Sequence, residues 1–437
     1  GGRAAAPHQL SQTDEELEFY MPAQRLPGLP LPTALRGSET GTFTHYSIAV
    51  RLPEIGRRIL AENHFRSHIA ADLQALFEEI PDGDIRPLLD GYAPDAADWR
   101  AYCLPYLEQT WLQAPWFFVE TYFYRRVLEA TQYFAEGAAT AVLDPFAYQK
   151  QQGLAATQTA VAGLCHTVNR WLTQPTARKE ALEHLLSVAL WGNQADLSLW
   201  PADNSDNPTH AEDVRQEHLL RDDTTAVTQH LLAPNHPIRL DLIADNAGFE
   251  LVGDLCLIDY ALHSGTAVSV TLHLKSHPTF VSDATPADTR QTITHLAQAA
   301  NPDMQAVGER LQARLADGRL QLQDHFFWTS PLAMWEMPAD LAADLQAAHL
   351  VISKGDANYR RLLGDRHWAF ADSFAEIVAY FPAPLLALRT LKSEIVAGLA
   401  PEQVQTMPTR DPNWLINGRW GLIQFARPHE NGGTRAG

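Results

Sequence analysis

The feature that most constrains the fold is a regular alternation of short β-type segments and longer helix-type segments between residues 236 and 425. Apolar and β-branched patterning predicts strands near 239–245, at 268–274, near 320–327, at 349–354 and at 385–389. Helical spacing predicts helices at 249–263, near 286–300, at 338–347 and near 372–379. Because helices separate successive strands, the strands are expected to run parallel with right-handed crossovers. The pattern therefore predicts an α/β fold, a doubly wound α/β/α sandwich.

The chain before this alternation has a different pattern. Apolar residues at three-to-four spacing indicate an N-terminal helical domain over residues 43–235. Residues 1–42 contain several prolines without sustained periodicity, which predicts an extended Pro-rich arm. The α/β domain then covers residues 236–425, and residues 426–437 form a tail.

Composition limits the classes of function. The formal net charge of −19 over 437 residues disfavours non-specific binding to nucleic acid or to an anionic membrane. Three scattered cysteines are too few for a disulfide framework, and neither a signal peptide nor an 18-residue apolar stretch is apparent. We therefore expect a cytoplasmic protein without nucleic-acid or membrane partners. No pattern in the chain indicates its oligomeric state.

Oxygen-bearing side chains follow two of the predicted strands. Asp245 and Asn246 end the first strand, and Asp283 lies in the loop after the second. In open α/β sheets ligands bind beyond the carboxyl ends of the strands, and hard divalent cations prefer carboxylate and amide oxygens. These residues predict a cation site. The alternative, that Asp245 and Asn246 only cap the following helix, stays open at this point.

Two further polar clusters follow strands. Residues 354–361 come directly after the strand at 349–354, and Arg389 and Lys392 follow the strand at 385–389. Taken singly, the first could be a capped helix start and the second a pair of surface charges. Three clusters after three parallel strands share one sheet edge, which favours a functional site.

Several segments resemble the metal-dependent damage-control phosphatase family, formerly called domain of unknown function 89. The resemblance is to the branch named for acidic residue methyltransferase, and it extends over residues 43 to 425. The matching segments are 115–126, 190–198, 245–251, 280–283, 354–360 and an Arg-Thr-x-Lys signature at 389–392. By this resemblance, a helical N-terminal part should pack on the α/β/α sandwich.

The resemblance also implies roles for individual residues. The metal ligands would be Asp245, Asn246 and Asp283, of which Asp245 and Asp283 would be catalytic. The substrate contacts would be Glu250, Asp356, Ala357, Asn358, Tyr359, Arg360 and Lys392. The residues predicted to position these metal ligands and substrate contacts are Glu120, Arg125, Asn193, Asp196 and Arg389. Lys275 also follows a strand, but it matches no signature and we expect no role for it.

The function implied by the resemblance is that of a divalent-metal-dependent phosphatase. Its substrates would be small phosphorylated metabolites, with sugar phosphates such as fructose 1-phosphate foremost. Mn²⁺ or Mg²⁺ is the expected cofactor, and Co²⁺ or Ni²⁺ could substitute because affinity rises along the transition series. Attack by water with an aspartate as base is favoured, while an aspartyl nucleophile stays open.

Two other functions compete with this prediction. An S-adenosylmethionine-dependent protein carboxyl methyltransferase is suggested by the branch name, but no Gly-x-Gly-type loop follows a strand. A non-catalytic ligand-binding module would use the same acids only as helix caps.

Overall fold

The computed structural model describes residues 26–135, 144–192 and 216–428. Within these segments lies one seven-stranded sheet with the order β1-β7-β6-β5-β2-β3-β4. The strands are β1 Leu219–Asp222, β2 Arg239–Ile243, β3 Ser269–Lys275, β4 Leu320–His325, β5 Leu350–Lys354, β6 Leu385–Thr390 and β7 Gly421–Ala426. Strands β2 to β6 run parallel, whereas β7 is antiparallel to β6 and parallel to β1.

Helices flank this sheet on both faces. They are α1 Phe43–Tyr46, α2 Leu52–Glu62, α3 Ser67–Glu79, α4 Ala96–Cys103, α5 Trp116–Ala130, α6 Ala147–Ala155, α7 Gln158–Leu172, α8 Arg178–Trp191, α9 Thr224–Leu232, α10 Phe249–His263, α11 Pro286–Ala297, α12 Pro302–Ala316, α13 Ala339–Gln346, α14 Gly355–Leu363, α15 Phe374–Ile377 and α16 Pro401–Arg410. None of the described helices is long and apolar enough to span a bilayer.

The sheet separates two hydrophobic cores. Leu385 and Ala387 belong to the core that contains α5, whereas Leu386 belongs to the core that contains α10. Successive side chains of a strand point to opposite faces, so each buried strand contributes to both cores. The predicted doubly wound sandwich is confirmed.

The winding direction of the sheet changes between β2 and β5. The chain moves from β2 to β3 and β4 on one side, then returns to place β5 and β6 on the other side of β2. The two strands pair in parallel up to Ile243 and Ser353. Ligands of open α/β sheets bind at such a switch point, in the crevice beyond the strand ends.

Some elements differ from the expectations. The helix expected near 286–300 is two helices, α11 and α12, because Asn301 caps a second start and Pro302 occupies its first position. Strands β1 and β7 were not predicted, and β1 lies within the segment assigned to the helical domain. The predicted domain boundaries stay a prediction. Of the proline-rich arm, residues 1–25 lie outside the described residues, and Leu35 bonds through its N–H to the carbonyl of Asp365 over 2.9 Å.

Candidate metal and phosphate site at the switch point

Two carboxylates meet where β2 and β3 end. Asp245 follows β2 by two residues, and Asp283 lies in the loop after β3. An isolated antiparallel bridge joins Asn246 to Asp283, and Ala284 donates its N–H to the carbonyl of Asp245 over 2.8 Å. Both carboxyl side chains are buried. The loops therefore hold together the three residues predicted to bind a metal.

The loop that carries Asp283 has an unusual backbone. Phe280 and Val281 have φ angles of 46° and 67°, in the left-handed region. A β-branched residue such as Val281 rarely adopts this conformation, so the surrounding packing must enforce it. The Phe280 ring packs at 5.1 Å from that of Tyr124 and 6.1 Å from that of Phe117. Backbone strain of this kind clusters at functional sites.

The two carboxyl groups are short of positive charge. Burial raises the pKa of Asp245 well above its usual value, and Glu250 and Asp283 add to the shift. Burial also raises the pKa of Asp283, against the opposing charge of Lys275. Asp283 Oδ2 lies 3.2 Å from Lys275 Nζ but has no hydrogen-bond partner among the described residues. Buried oxygens in this state fit a hard divalent cation, which Asp245, Asn246 and Asp283 would hold.

A glycine allows the backbone after β5 to approach Asp245. Gly355 has a φ of +87°, and a β-carbon at this position would lie 1.9 Å from Asp245 Oδ2. Gly355 is also the first residue of α14, whose first turn carries no side-chain cap from a described residue. Free N–H groups of a first turn, together with the helix dipole, favour an anion at that position.

Asp356 fixes the loop that follows β6. Its Oδ1 atom accepts hydrogen bonds from Arg389 Nε at 2.8 Å, the Lys392 N–H at 3.2 Å and Ser393 Oγ at 3.1 Å. Burial alone would raise the pKa of Asp356, but Arg389 and Arg360 hold it below its usual value. Asp356 is therefore an anion that positions the Arg-Thr-x-Lys segment beside the N-terminus of α14.

Lys392 presents a charge to this edge of the sheet. Its side chain is half-buried, and it forms no ion pair within the segments that the structure covers. Its charge nevertheless lowers the pKa of Asp245, which places the ammonium group in the electrostatic range of the carboxylates. An unpaired cation beside a buried carboxylate pair suits a phosphate.

A hydrogen-bond network joins Asn246 and Glu250 to the strand ends. Asn246 Nδ2 donates to Asp245 Oδ2 at 2.8 Å and to Glu250 Oε2 at 2.9 Å. Lys354 Nζ contacts Glu250 Oε1 at 3.1 Å and Asp254 Oδ1 at 2.7 Å. Glu250 therefore contacts a predicted metal ligand on one side and a buried lysine on the other.

Asn358 belongs to the same network. Its Nδ2 atom donates to the carbonyls of Ala244 at 3.0 Å and Lys354 at 2.8 Å, and its Oδ1 atom accepts from Lys275 at 3.4 Å. These bonds tie the start of α14 to the ends of β2, β3 and β5.

Other predicted substrate and support residues have their polar groups engaged within the protein. Arg360 pairs with Glu120 and, at 2.7 Å, with Asp365, and its guanidinium lies 3.6 Å from the centroid of Trp116. The Tyr359 hydroxyl donates to Gln424 over 2.8 Å. Their roles as substrate contacts stay predictions.

Arg125 is likewise paired within the helical part. It contacts Asp90 at 2.9 Å and Asp95 at 2.8 Å, so its predicted supporting role is also untested. Ala357, by contrast, is half-exposed at the first turn of α14. Asn193 and Asp196 lie outside the described residues.

Lys275 has contacts in the site that the sequence did not indicate, whereas its expected lack of effect on catalysis stays a prediction. The side chain is buried at the end of β3, pairs with Asp283 and donates to Asn358. A lysine that ends an otherwise apolar strand was the available signal, since buried lysines are rare unless paired. Lys354, which ends β5 in the same way, was missed as an individual residue.

A second group of ligand-type side chains lies elsewhere in the sheet. Single ligand atoms of Asp241, His273 and Asp344 lie within 4.8 Å of one another. Arg239 pairs with both carboxylates, at 2.7 Å from Asp241 and 2.9 Å from Asp344, so one guanidinium already offsets one of their two charges. Asp241 precedes Asp245 by four residues, a distance of about 13 Å along an extended strand.

Comparisons with known proteins identify the family of this chain. A family model described as the damage-control phosphatase ARMT1-like domain matches residues 47–407. The chain is 33% identical to damage-control phosphatase ARMT1 of Mus musculus, over 91% of this chain and 99% of that protein. It is 32% identical to the Danio rerio protein, over 92% and 98%, and 31% identical to the Homo sapiens protein, over 91% and 99%. A solved DUF89 family protein from Pyrococcus horikoshii covers 87% of this chain and 97% of its own, with a TM-score of 0.45 and 14% identity.

The family model and the relatives together define the class of this chain, the damage-control phosphatases. The chain belongs to the damage-control phosphatase ARMT1-like family. The resemblance inferred from its motifs is confirmed, and family membership favours a phosphomonoester hydrolase over a methyltransferase or a binding module.

Proposed function

We propose that this protein is a divalent-metal-dependent phosphatase for small phosphorylated metabolites, with sugar phosphates such as fructose 1-phosphate as the substrate class. The observation that carries the proposal is the buried pair Asp245 and Asp283, with raised pKa values, beside the half-buried Lys392. A divalent cation would stabilise the ionised form of these buried carboxylates, and the cation and the ammonium group together would bind a phosphate.

Different parts of the site would bind the metal, bind the phosphate and accept a proton. A bound divalent ion would supply Lewis-acid stabilisation of charge on the phosphoryl oxygens. Lys392 and the uncapped first turn of α14 would bind the phosphate, because both offer donors to an anion. Asp283, held by Lys275, or Asp245 would take the proton of the attacking water, because both carboxylates lie at the proposed metal site.

We further propose that the ion is Mn²⁺ or Mg²⁺ and that the protein is cytoplasmic. All three proposed ligands offer oxygen, which favours Mn²⁺ or Mg²⁺, with Co²⁺ or Ni²⁺ as substitutes. By the family resemblance, Glu250 and Asp356 would accept hydrogen bonds from a sugar hydroxyl. The buried free thiols of Cys103, Cys165 and Cys256 suit a reducing, cytoplasmic environment.

The test compares two substitutions that remove one carboxylate each. Asp245→Asn should abolish saturable Mn²⁺ binding in calorimetry and phosphate release from a panel of sugar phosphates. Asp344→Asn removes a carboxylate of the cluster around Arg239 and should leave both intact. Because burial and neighbouring acids already oppose ionisation of Asp245, the metal-free Asp245→Asn variant should melt no lower than the parent.

Loss of Mn²⁺ binding and phosphate release in Asp344→Asn, with both retained in Asp245→Asn, would instead place the metal at the cluster of Asp241, His273 and Asp344. Chelation with a strong ligand should also silence phosphate release reversibly. Activity that survives exhaustive chelation, in protein shown by elemental analysis to hold no metal, would refute the proposal.

A further inference from the structure

The most buried contact of helix α6 is an ion-pair network rather than an apolar face. Within α6, all of which the structure describes, Lys150 is the one buried residue, and the others are half-buried or exposed. Its ammonium nitrogen lies 2.7 Å from Asp144 Oδ2 and 2.8 Å from Asp288 Oδ2. Burial alone would lower the pKa of Lys150, but the two carboxylates raise it above its usual value. Since lysines are rarely buried without partners, these ion pairs are what hold Lys150 inside the protein.

One of the two carboxylates belongs to the loop that carries Asp283. Asp288 Oδ2 also accepts the N–H of Thr285 at 2.9 Å and the Thr285 hydroxyl at 2.7 Å, in a capping box at the start of α11. Thr285 follows Asp283 by two residues. Between them, the N–H of Ala284 donates to the carbonyl of Asp245 at 2.8 Å. A single carboxylate oxygen therefore links α6 to the backbone beside two proposed metal ligands.

Two further contacts place α6 against the loops that carry these ligands. A β-carbon added to Gly248, in the loop after β2, would lie 3.9 Å from the backbone of Gly153. Phe146 directly precedes α6, and its ring lies 5.8 Å from that of Tyr124. The Tyr124 ring in turn lies 5.1 Å from that of Phe280, in the loop after β3. Helix α6 thus lies beside both loops.

The charge of Lys150 also acts on the metal site. Burial raises the pKa of Asp283, and Lys275 and then Lys150 oppose this shift. The ammonium group of Lys150 is therefore within electrostatic range of a proposed metal ligand. Lys275 pairs with Asp283 directly. The connection from Lys150 instead runs through Asp288 and the backbone of Thr285.

We propose that Lys150 is a positioning residue of the metal site, which holds the loop of Asp283 in place through its ion pair with Asp288. This role rests on the proposed phosphatase function, because it assigns Lys150 to the site of that reaction. Lys150 acts on the metal ligands through the cap of α11 and not by contact with metal or substrate. Groups that orient metal ligands in this indirect way typically contribute about 10- to 100-fold to metal affinity or activity.

The two acids that pair with Lys150 provide a matched test. Asp288→Asn weakens the ion pair that reaches the loop of Asp283, whereas Asp144→Asn weakens the pair that does not. In calorimetric titration of the full-length protein, Asp288→Asn should weaken Mn²⁺ binding about tenfold and lower kcat for the best sugar phosphate by a similar factor. Asp144→Asn should leave both near the parent values, because Lys150 keeps its pair with Asp288. A role in charge balance alone would make the two variants equal.

Substitutions of Lys150 test the other end of the ion pair. Lys150→Met should weaken Mn²⁺ binding as Asp288→Asn does, because it leaves Asp288 without its cation. Lys150→Arg keeps a cation between the two acids and should restore most of the affinity. Lys179→Met is the control, since it removes the same charge from the exposed surface of α8.

Hydrogen exchange of the metal-free protein adds a readout that a merely structural role of Lys150 would not change. The amides of Ala284 and Thr285 should exchange at least about threefold faster in Asp288→Asn than in the parent, at an unchanged Tm. Parent-like exchange of these amides and parent-like Mn²⁺ affinity in Asp288→Asn would overturn the proposal. Faster exchange confined to α6 would overturn it as well, because Lys150 would then anchor only its own helix.

The failure of the proposed function would look different. A parent protein that neither binds Mn²⁺ nor releases phosphate would refute the phosphatase. The exchange measurement needs neither metal nor substrate, so it would still decide whether Lys150 holds the loop. An active parent with equal Mn²⁺ affinity in Asp144→Asn and Asp288→Asn would refute the positioning role alone.

Discussion

Three lysines lie at or just beyond the ends of β3, β5 and β6, and each has a different set of partners. Lys275 pairs with Asp283, and Lys354 lies between Glu250 and Asp254. Both are buried, so their charges serve the carboxylates around them. Lys392 has no such partner among the described residues, which leaves its charge for an incoming anion.

This difference predicts a selective effect of Lys392→Ala. Removal of a charge-assisted contact to phosphate costs on the order of 1.5–3 kcal/mol, so kcat/KM for the best sugar phosphate should fall at least about tenfold. Lys179→Ala is the control, because Lys179 lies on the exposed surface of α8, where it pairs with Glu183. Its kcat/KM should match the parent at fixed Mn²⁺ and pH. Parent-like kinetics of Lys392→Ala would show that this ammonium group does not contact the substrate.

The residues that were predictable from the sequence are those whose position alone is informative. Asp245, Asn246 and Asp283 follow strands, and strand ends converge in a parallel sheet. The pairing of Arg360 with Glu120 was not predictable, because the partner lies 240 positions away in the chain. Lys275 was missed for the same reason, since its role depends on which neighbours the fold brings to it.

At the scale of elements, the junction of β5 and α14 is the tightest part of the site. Gly355 has a positive φ angle, and Asp245 occupies the space that a β-carbon at this position would need. Gly265 shares the first requirement, with a φ of +75°, but a β-carbon added there would have no neighbouring atom within 4 Å. Substitution of Gly265 therefore tests backbone strain alone, whereas substitution of Gly355 tests backbone strain together with a steric conflict with Asp245.

Gly355→Ala should abolish Mn²⁺ binding and phosphate release, because the added methyl group would displace Asp245. Gly265→Ala should lose only about 1 kcal/mol of stability, the cost of a positive φ angle for a residue with a β-carbon, and should keep full activity. Calorimetric Mn²⁺ titration and urea unfolding of both variants provide the comparison. Equal metal affinity in the two variants would contradict the close approach of α14 to Asp245.

The contact between α10 and β5 should make the free energy of unfolding depend on pH. Burial raises the pKa of Asp254 to about 7, although Lys354 opposes the shift. The folded chain then holds a proton that the unfolded chain releases near pH 4, so this stabilising contribution is complete below that pH and is lost as the pH rises through about 7.

Asp254→Asn mimics the protonated state and should flatten this dependence. Between pH 4 and 7.5 the free energy of unfolding of metal-free protein should decrease less in the variant than in the parent, by no more than about 4 kcal/mol. Urea unfolding across this range measures the difference. Parallel curves for the two proteins would mean that Asp254 is already ionised at low pH.

Elements were predictable where the pattern was long or strictly apolar. Helix α10 has the bounds expected for it because its apolar residues continue from Phe249 to Leu262. Strand β1 has four residues and only Leu220 is buried, so it lacks the period-two pattern that identifies a strand. Strand β7 is antiparallel to β6, and helix α16 before it was not predicted, so the alternating series that identified the other strands ended at β6.

At the scale of the whole molecule, the alternation of strands and helices was sufficient to predict the class of fold. The way in which the helical part packs was not, because α5 and α8 belong to different cores on opposite faces of the sheet. Amphipathic spacing identifies a buried face of a helix but not the surface that covers it.

Metal binding should stabilise the whole molecule through the site. At a free Mn²⁺ concentration of 100 times Kd the gain is about 2.7 kcal/mol. With an unfolding entropy of about 2.1 cal/mol/K per residue, this corresponds to about 3 °C in Tm for a chain of 437 residues. Differential scanning calorimetry should show this shift in the parent and its absence in Asp245→Asn. A shift of equal size in both would locate the stabilising metal elsewhere.

The change of winding direction between β2 and β5 has a consequence for synthesis of the protein. Asp245 and Asp283 leave the ribosome long before Gly355 and Lys392, and the latter reach them only after β5 has inserted beside β2. A nascent or truncated chain therefore holds the acids without the groups that would complete the site around them. If the proposed site is correct, turnover requires completed folding of the sheet, because chains that end before β6 lack Lys392.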